Sequence, residues 1–200
     1  MTAIFMRHGQ LLPPYDSYEK LSLSELEGLA SGSLDPDVDQ GFVRHGLKEM
    51  DEWRTSIKDS QVVLCGQARR AQQTCSLMME WAGIDLSPMV DHRINEIAFS
   101  PIALCGDSTE VPLSVLRKRL DDAIETGHAG VEKRGSIIAR VQDVLEEYKG
   151  KRILCVSHGF LMKFIMAHLH TEFGFSLPES CAPSAAAPVP YLGMLRIEAG

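Results

Sequence analysis

The sequence predicts an α/β fold, a three-layer sandwich in which a mostly parallel central sheet is covered by helices on both faces, with a lid-like insertion. Three observations carry that reading. Ala3-Ile4-Phe5-Met6 and Ile153-Leu154-Cys155-Val156 are unbroken apolar runs too short for ordinary helices, as strands buried on both faces require. Gln61-Val62-Val63-Leu64-Cys65 is a third run of this kind. Between the runs, apolar residues recur at helical spacing, so strands and helices alternate.

Taken in order, the first strand ends on Arg7-His8-Gly9, and residues 10–41 form a long, weakly patterned segment with Pro13-Pro14 and breakers at Gly28, Gly32, Pro36 and Gly41. Leu21, Leu23, Leu26 and Leu29 mark a short helix within it. A segment this long beside a candidate site is expected to act as a lid or specificity loop. Val43, Leu47, Met50 and Ile57 predict one helix over 42–57. The strand at 61–65 leads into a helix starting near Arg69-Arg70, with Ala71, Cys75, Met78 and Ala82 facing the core. Residues 85–96 read as a loop with a brief extended piece at Met89-Val90, and residues 101–112 as a second irregular segment, so 98–112 is the other candidate lid loop. Leu113, Leu116, Leu120 and Ile124 predict one helix, and Ile137, Ile138, Val141, Val144, Leu145 and Tyr148 another. A helix with Leu161, Phe164, Ile165 and Leu169 inward follows the strand at 152–157. Residues 176–190 read as a loop, and Tyr191 to Ile197 as a closing strand at the sheet edge.

Bulk properties narrow the function. With 200 residues and 44% hydrophobic side chains, the chain is long enough to bury a core as a single domain over 1–200. A net charge of −7 argues against nucleic acid or an anionic membrane as the main partner. No signal peptide is recognisable, and the most apolar stretch, 153–169, is interrupted by Ser157, His158 and Lys163, so a soluble, cytoplasmic protein is expected. Five scattered cysteines, Cys65, Cys75, Cys105, Cys155 and Cys181, form no Cys-x-x-Cys pair and read as packing residues.

Chemistry concentrates where strands end. In an open α/β sheet ligands bind beyond the carboxyl ends of the strands. Arg7-His8-Gly9 and Ser157-His158-Gly159 both close apolar runs, so two strands deliver two His-Gly pairs to one sheet edge. Arg44-His45-Gly46 repeats the tripeptide on the polar side of a helical stripe and reads as solvated surface. The helix at Arg69-Arg70 aims its positive end at the same crevice, and because adjacent helical residues point about 100° apart, the two arginines should not serve it equally. Glu96, bracketed by Ile94 and Ile97, places a carboxyl at a pocket edge.

Arg7-His8-Gly9, Arg70-Ala71-Gln72-Gln73-Thr74, Ile94-Asn95-Glu96-Ile97 and Val156-Ser157-His158-Gly159 resemble, in order, the motifs of the histidine phosphatase superfamily, relatives of cofactor-dependent phosphoglycerate mutase. Where that family commonly has Ser-Pro ahead of the arginine, this chain has Gly66-Gln67. The resemblance implies that His8 is a nucleophile forming phosphohistidine, that Arg7, Arg70 and His158 clamp the phosphoryl group, and that Glu96 is the acid. Gln10 and Gly159 complete the substrate-binding candidates. Two guanidiniums and an imidazolium would offset charge on the equatorial oxygens of a phosphoryl transition state. Neither metal nor cofactor is required, and the implied partner is a small phosphorylated substrate or a phosphoprotein. The short chain favours a phosphomonoester hydrolase, with a mutase, a phosphohistidine-protein phosphatase and a non-catalytic phospho-ligand binder as alternatives. A two-His, one-carboxylate metal site at His8, His158 and Glu96 is opposed by the adjacent arginines, which would repel a cation.

Overall fold

A computed structural model describes residues 2–17, 21–106, 112–168 and 189–198. Its centre is a five-stranded sheet built from β1 (Thr2–Arg7), β2 (Val62–Cys65), β3 (Met89–Val90), β4 (Arg152–Ser157) and β5 (Met194–Glu198), in the order β3-β2-β4-β1-β5. The first four strands are mutually parallel, and β5 runs antiparallel along the outer edge of β1. Each run alternates between two cores. Ala3 and Phe5 of β1 pack with one set of helices, Ile4 and Met6 with the other. That two-sided burial is why these strands read as continuous apolar runs rather than as alternating ones.

Helices cover both faces. On one side lie α2 (Gln40–Lys48), α3 (Asp51–Lys58) and α4 (Arg69–Ala82), with α1 (Leu23–Ser31) of the insertion joining the same core. On the other lie α7 (Arg134–Glu147) and α8 (Gly159–His168). Between them in sequence come α5 (Pro101–Cys105) and α6 (Leu113–Thr126). The insertion helix α1 opens on a capping box, in which Ser22 and Glu25 satisfy each other's backbone N–H groups, and closes on Gly32 in the left-handed conformation.

Three expectations are corrected, and a fourth lies outside the described residues. The helix expected over 42–57 is two helices, broken at Glu49 and Met50, with Asp51 and Glu52 giving the second a negatively charged first turn that suits its positive end. Residues 101–105, expected to be irregular, form α5, opened by the Ser100 hydroxyl accepting from Ala103 N–H and by Pro101 in the first turn. The closing strand begins at Met194, since residues 191 and 192 turn and Leu192 has φ 59°. The loop expected over 176–190 falls outside the described residues except for Val189 and Pro190, as does Leu169 of the expected α8 stripe.

Strand register positions the site. Arg7 pairs with Ser157 across β1 and β4, and Cys65 pairs with Val156 across β2 and β4. The chains therefore leave the sheet at one level, and His8, Gly66 and His158 emerge together.

Candidate active site

His8 and His158, 150 positions apart in sequence, lie edge to face with ring centres 5.2 Å apart, each only 2% exposed. His8 Nδ1 is 2.8 Å from the carbonyl of Gly9. A carbonyl can only accept, so Nδ1 carries the proton and Nε2 keeps its lone pair. Burial pulls the His8 pKa well below the usual imidazole value, reinforced by His158, Arg70 and Arg7, against which the Gly9 carbonyl pulls upward. His158 is lowered in the same sense by burial and by Arg70, Arg7 and Arg140. Both rings are thus biased toward the neutral form in the absence of a bound anion.

Two arginines flank the rings. Arg7 donates from Nη1 to the carbonyl of Val189, and its guanidinium carbon stands 4.1 Å from the centre of the Tyr191 ring. A side chain on Gly159 would approach Arg7 Nε to 3.1 Å, so glycine there gives the guanidinium its room. Arg70 is 6% exposed, while Arg69 faces solvent, the division expected for neighbours on a helix. Arg70 Nη1 lies 3.4 Å from Asp35, which also accepts the backbone N–H of Arg69 at 2.8 Å. Asp37 accepts from Gln73 at 2.7 Å, so the insertion is docked on the start of α4 by two carboxylates. The positive end of α4 therefore meets a carboxylate of the protein itself.

Glu96 is held by backbone. One of its oxygens accepts from Leu161 N–H at 2.7 Å and Ile97 N–H at 3.1 Å, and the other from Phe160 N–H at 3.1 Å. The start of α8 is likewise occupied by a carboxylate. Burial nevertheless raises the Glu96 pKa, with the three N–H donors and Arg70 pulling it back. The loop carrying Glu96 is anchored on both sides. Arg140 donates to the carbonyls of Arg93 and Asn95 at 2.5 and 3.0 Å, and its partner Glu132 accepts from Ala98 N–H at 3.1 Å. Asn95 exchanges bonds with Gln67, accepting its N–H at 2.7 Å and donating to its side chain at 2.6 Å. Gln67, the departure from the family pattern, thus ties the turn after β2 to the glutamate loop.

Arg7, His8, Arg70, Glu96 and Gly159 line one cleft of about 730 Å³, its open mouth included. Two of the predicted site residues do not line the cleft: the Gln10 amide donates to the carbonyl of Asp16, and His158 reaches the site through its edge-to-face contact with His8. Tyr191, Asp35, Arg140 and Glu132 went unrecognised as site residues. Each is a single residue in a segment whose pattern points elsewhere. Among the described residues no cluster of three His, Cys, Asp or Glu side chains is arranged to hold a metal ion. Chemically, the cleft offers a neutral imidazole with a free nitrogen, two guanidiniums and a carboxyl of raised pKa, which suits attack on a phosphoryl group.

The sequence profile of the histidine phosphatase superfamily (branch 1) matches residues 3–182. Among solved structures, a protein described as mycobacterial hydrolase 2 superposes with a TM-score of 0.63 at 16% identity, covering 98% of this chain and 80% of that one. The mycobacterial glucosyl-3-phosphoglycerate phosphatase in complex with VO3 gives 0.60 at 16% identity, covering 98% and 90%. A phosphoglycerate mutase from Bacillus anthracis gives 0.59 at 15%, covering 98% and 86%. At these identities the likeness establishes the fold. Among curated proteins, none matches the chain.

Proposed function

The chain belongs to the histidine phosphatase superfamily, branch 1, and from that premise we propose that it is a phosphomonoester hydrolase working through a phosphohistidine on His8. The observation that carries the reading is the Nδ1 contact of His8 with Gly9, which fixes the tautomer and leaves Nε2 to attack. In the first step the Nε2 lone pair forms a bond to phosphorus and the ester oxygen leaves, taking a proton from Glu96. In the second, Glu96 as carboxylate removes a proton from water, whose oxygen attacks phosphorus, breaking the N–P bond and releasing inorganic phosphate. Arg7 and Arg70 face the charge on the phosphoryl oxygens, and arginine's planar fork suits that role better than lysine.

His158 is held below the usual imidazole value by burial first and by the arginines second, and a phosphate dianion between them reverses the arginines' field. Arg70 Nε and His158 Nδ1 are buried without an acceptor among the described residues, polar atoms that an oxyanion would satisfy. The proton on Glu96 belongs on the oxygen facing Phe160, since the other already takes two N–H bonds. We read the chain as one domain whose segments 10–41 and 98–112 act as lids: Glu27 of α1 accepts from the Ser100 hydroxyl at 2.8 Å and from Ile102 N–H at 3.1 Å, joining the two. A cytoplasmic setting fits four described cysteines that are all free and buried, and among the described residues no helix is long and apolar enough to cross a membrane.

The test is an alkaline denaturing quench during turnover of a 32P-labelled phosphomonoester. Alkali-stable, acid-labile label on wild type, absent from His8→Ala, supports the reading. Turnover without such label on His8 overturns it. Release of inorganic phosphate separates a hydrolase from a mutase, which would return the label to a second hydroxyl of its substrate.

A further inference from the structure

The cleft that holds Arg7, His8, Arg70 and Glu96 is walled for the rest by apolar side chains, among them Leu26 and Leu29 from α1, Phe99, Leu116 from α6, and Phe160. Phe99 and Phe160 meet edge to face, with ring centres 5.3 Å apart. Beyond the phosphoryl clamp, no neutral hydrogen-bonding side chain lines the cleft among the described residues. Its remaining polar groups are two cations, Arg117 and Lys163, and the latter is paired with Asp121 at 2.5 Å. A sugar alcohol seated here would exchange water for leucine and phenylalanine at each hydroxyl, whereas an apolar alcohol would shed water and cover the wall.

Resting on the phosphatase reading of the same site, we propose that the cleft takes phosphomonoesters of apolar alcohols, aryl-bearing or branched alkyl, and disfavours sugar phosphates. The phosphoryl group sits against Arg7, His8 and Arg70, and the alcohol lies on the wall between α1 and α6. Covalent chemistry is unchanged by this: the same oxygen leaves, and the preference comes from contacts of the alcohol alone.

Benzyl phosphate and glucose 6-phosphate both release a primary alkoxide, so their comparison isolates the wall from the chemistry. The expected kcat/KM ratio is at least about 100-fold in favour of benzyl phosphate, since one unmatched hydroxyl in an apolar pocket already costs on that order. Methyl phosphate, too small to reach the wall, gives the reference. Leu29→Ala and Phe99→Ala should each narrow the benzyl to methyl ratio about tenfold, a ratio from which any loss of folded protein cancels. Glucose 6-phosphate turned over as fast as benzyl phosphate, or ratios untouched in both variants, would overturn the assignment. Binding of benzylphosphonate and methylphosphonate, measured by calorimetry on the full chain, decides the matter independently of turnover. Benzylphosphonate bound at least tenfold tighter supports the apolar subsite even if no ester is hydrolysed, an outcome that would sink only the hydrolase reading. Equal affinities refute the subsite.

Discussion

The chain contains Arg-His-Gly twice, and the two copies show how little a tripeptide means without its setting. At residues 7–9 it closes a buried strand: Arg7 and His8 are enclosed, their neighbours in space are His158 and Tyr191, and burial strips the imidazole of its proton. At residues 44–46 it lies on α2, where Arg44 and His45 face water and Arg44 pairs with Glu80 at 3.0 Å on the surface. The second copy is nevertheless not idle. Its helix supplies Val43, which packs where a side chain on Gly9 would go, and Gly46 admits Leu192, next to the Tyr191 that faces Arg7. One copy presents the chemistry and the helix bearing the other props it from behind.

The comparison can be broken most sharply at the histidines. His8→Ala should lower kcat about 10⁴-fold or more, as loss of a covalent nucleophile does, while His45→Ala should stay within about twofold, both read on one substrate with folding checked by circular dichroism. Equal losses would mean the copies had been ranked wrongly. At the arginines, Arg7→Met is expected to cost about 10² to 10³ in kcat/KM, the scale of one removed transition-state donor. Arg44→Met should leave kcat/KM unchanged.

Glu96 adds a pH signature to the buried copy alone. Its pKa lies above the ordinary carboxylate value, so the acid form persists into weakly acidic solution, and kcat for an alkyl ester should fall as pH rises through that raised value. Glu96→Gln should slow the alkyl ester about 10² to 10⁴-fold and remove that limb. An unchanged profile would dismiss Glu96 as the acid. Stability follows the histidines. His8 and His158 have folded pKa values well below the unfolded value of about 6.5, so as pH falls the unfolded chain takes up protons that the folded one refuses. Stability should therefore decline from about pH 6.5 downward, with a shallower decline in His158→Ala, measured as urea midpoints across pH.

The smallest effects belong to the glycines, and here the copies should converge. A Cβ on Gly9 would overlap Val43, and one on Gly46 would come within 2.5 Å of Leu192. Either alanine should cost about 1 to 3 kcal/mol, the usual range for overpacking. Only Gly9→Ala should also depress kcat.

What the sequence disclosed follows from how each feature is encoded. The three core strands were legible because a two-sided environment demands apolar residues at every position, and β4 aligned with β1 because both end in His-Gly. The Arg69–Arg70 choice was legible from helical geometry alone. The break at Glu49 and Met50 was hidden because the stripe Val43, Leu47, Met50, Ile57 runs across it almost in phase. Helix α5 is five residues long, too brief for periodicity, though Ser100-Pro101 carried a start signal. The anchors of the site were harder still. Asp35 reaches Arg70 across 35 positions and Arg140 reaches Asn95 across 45, and a single long-range hydrogen bond leaves no periodic trace.

The backbone grip on Glu96 has a mechanical corollary. When the side chain carries its proton, one lone pair fewer faces the first turn of α8; once the proton has gone to the departing alcohol, both oxygens receive the amides of Phe160 and Leu161 at full charge. On the proposed reading, the segment that follows His158 would be moored most firmly in the interval between release of the alcohol and entry of water. Hydrogen-exchange protection at those two amides, taken relative to the intrinsic rate at each pH, would register that interval, rising in a phosphorylated enzyme and falling when the free enzyme is acidified.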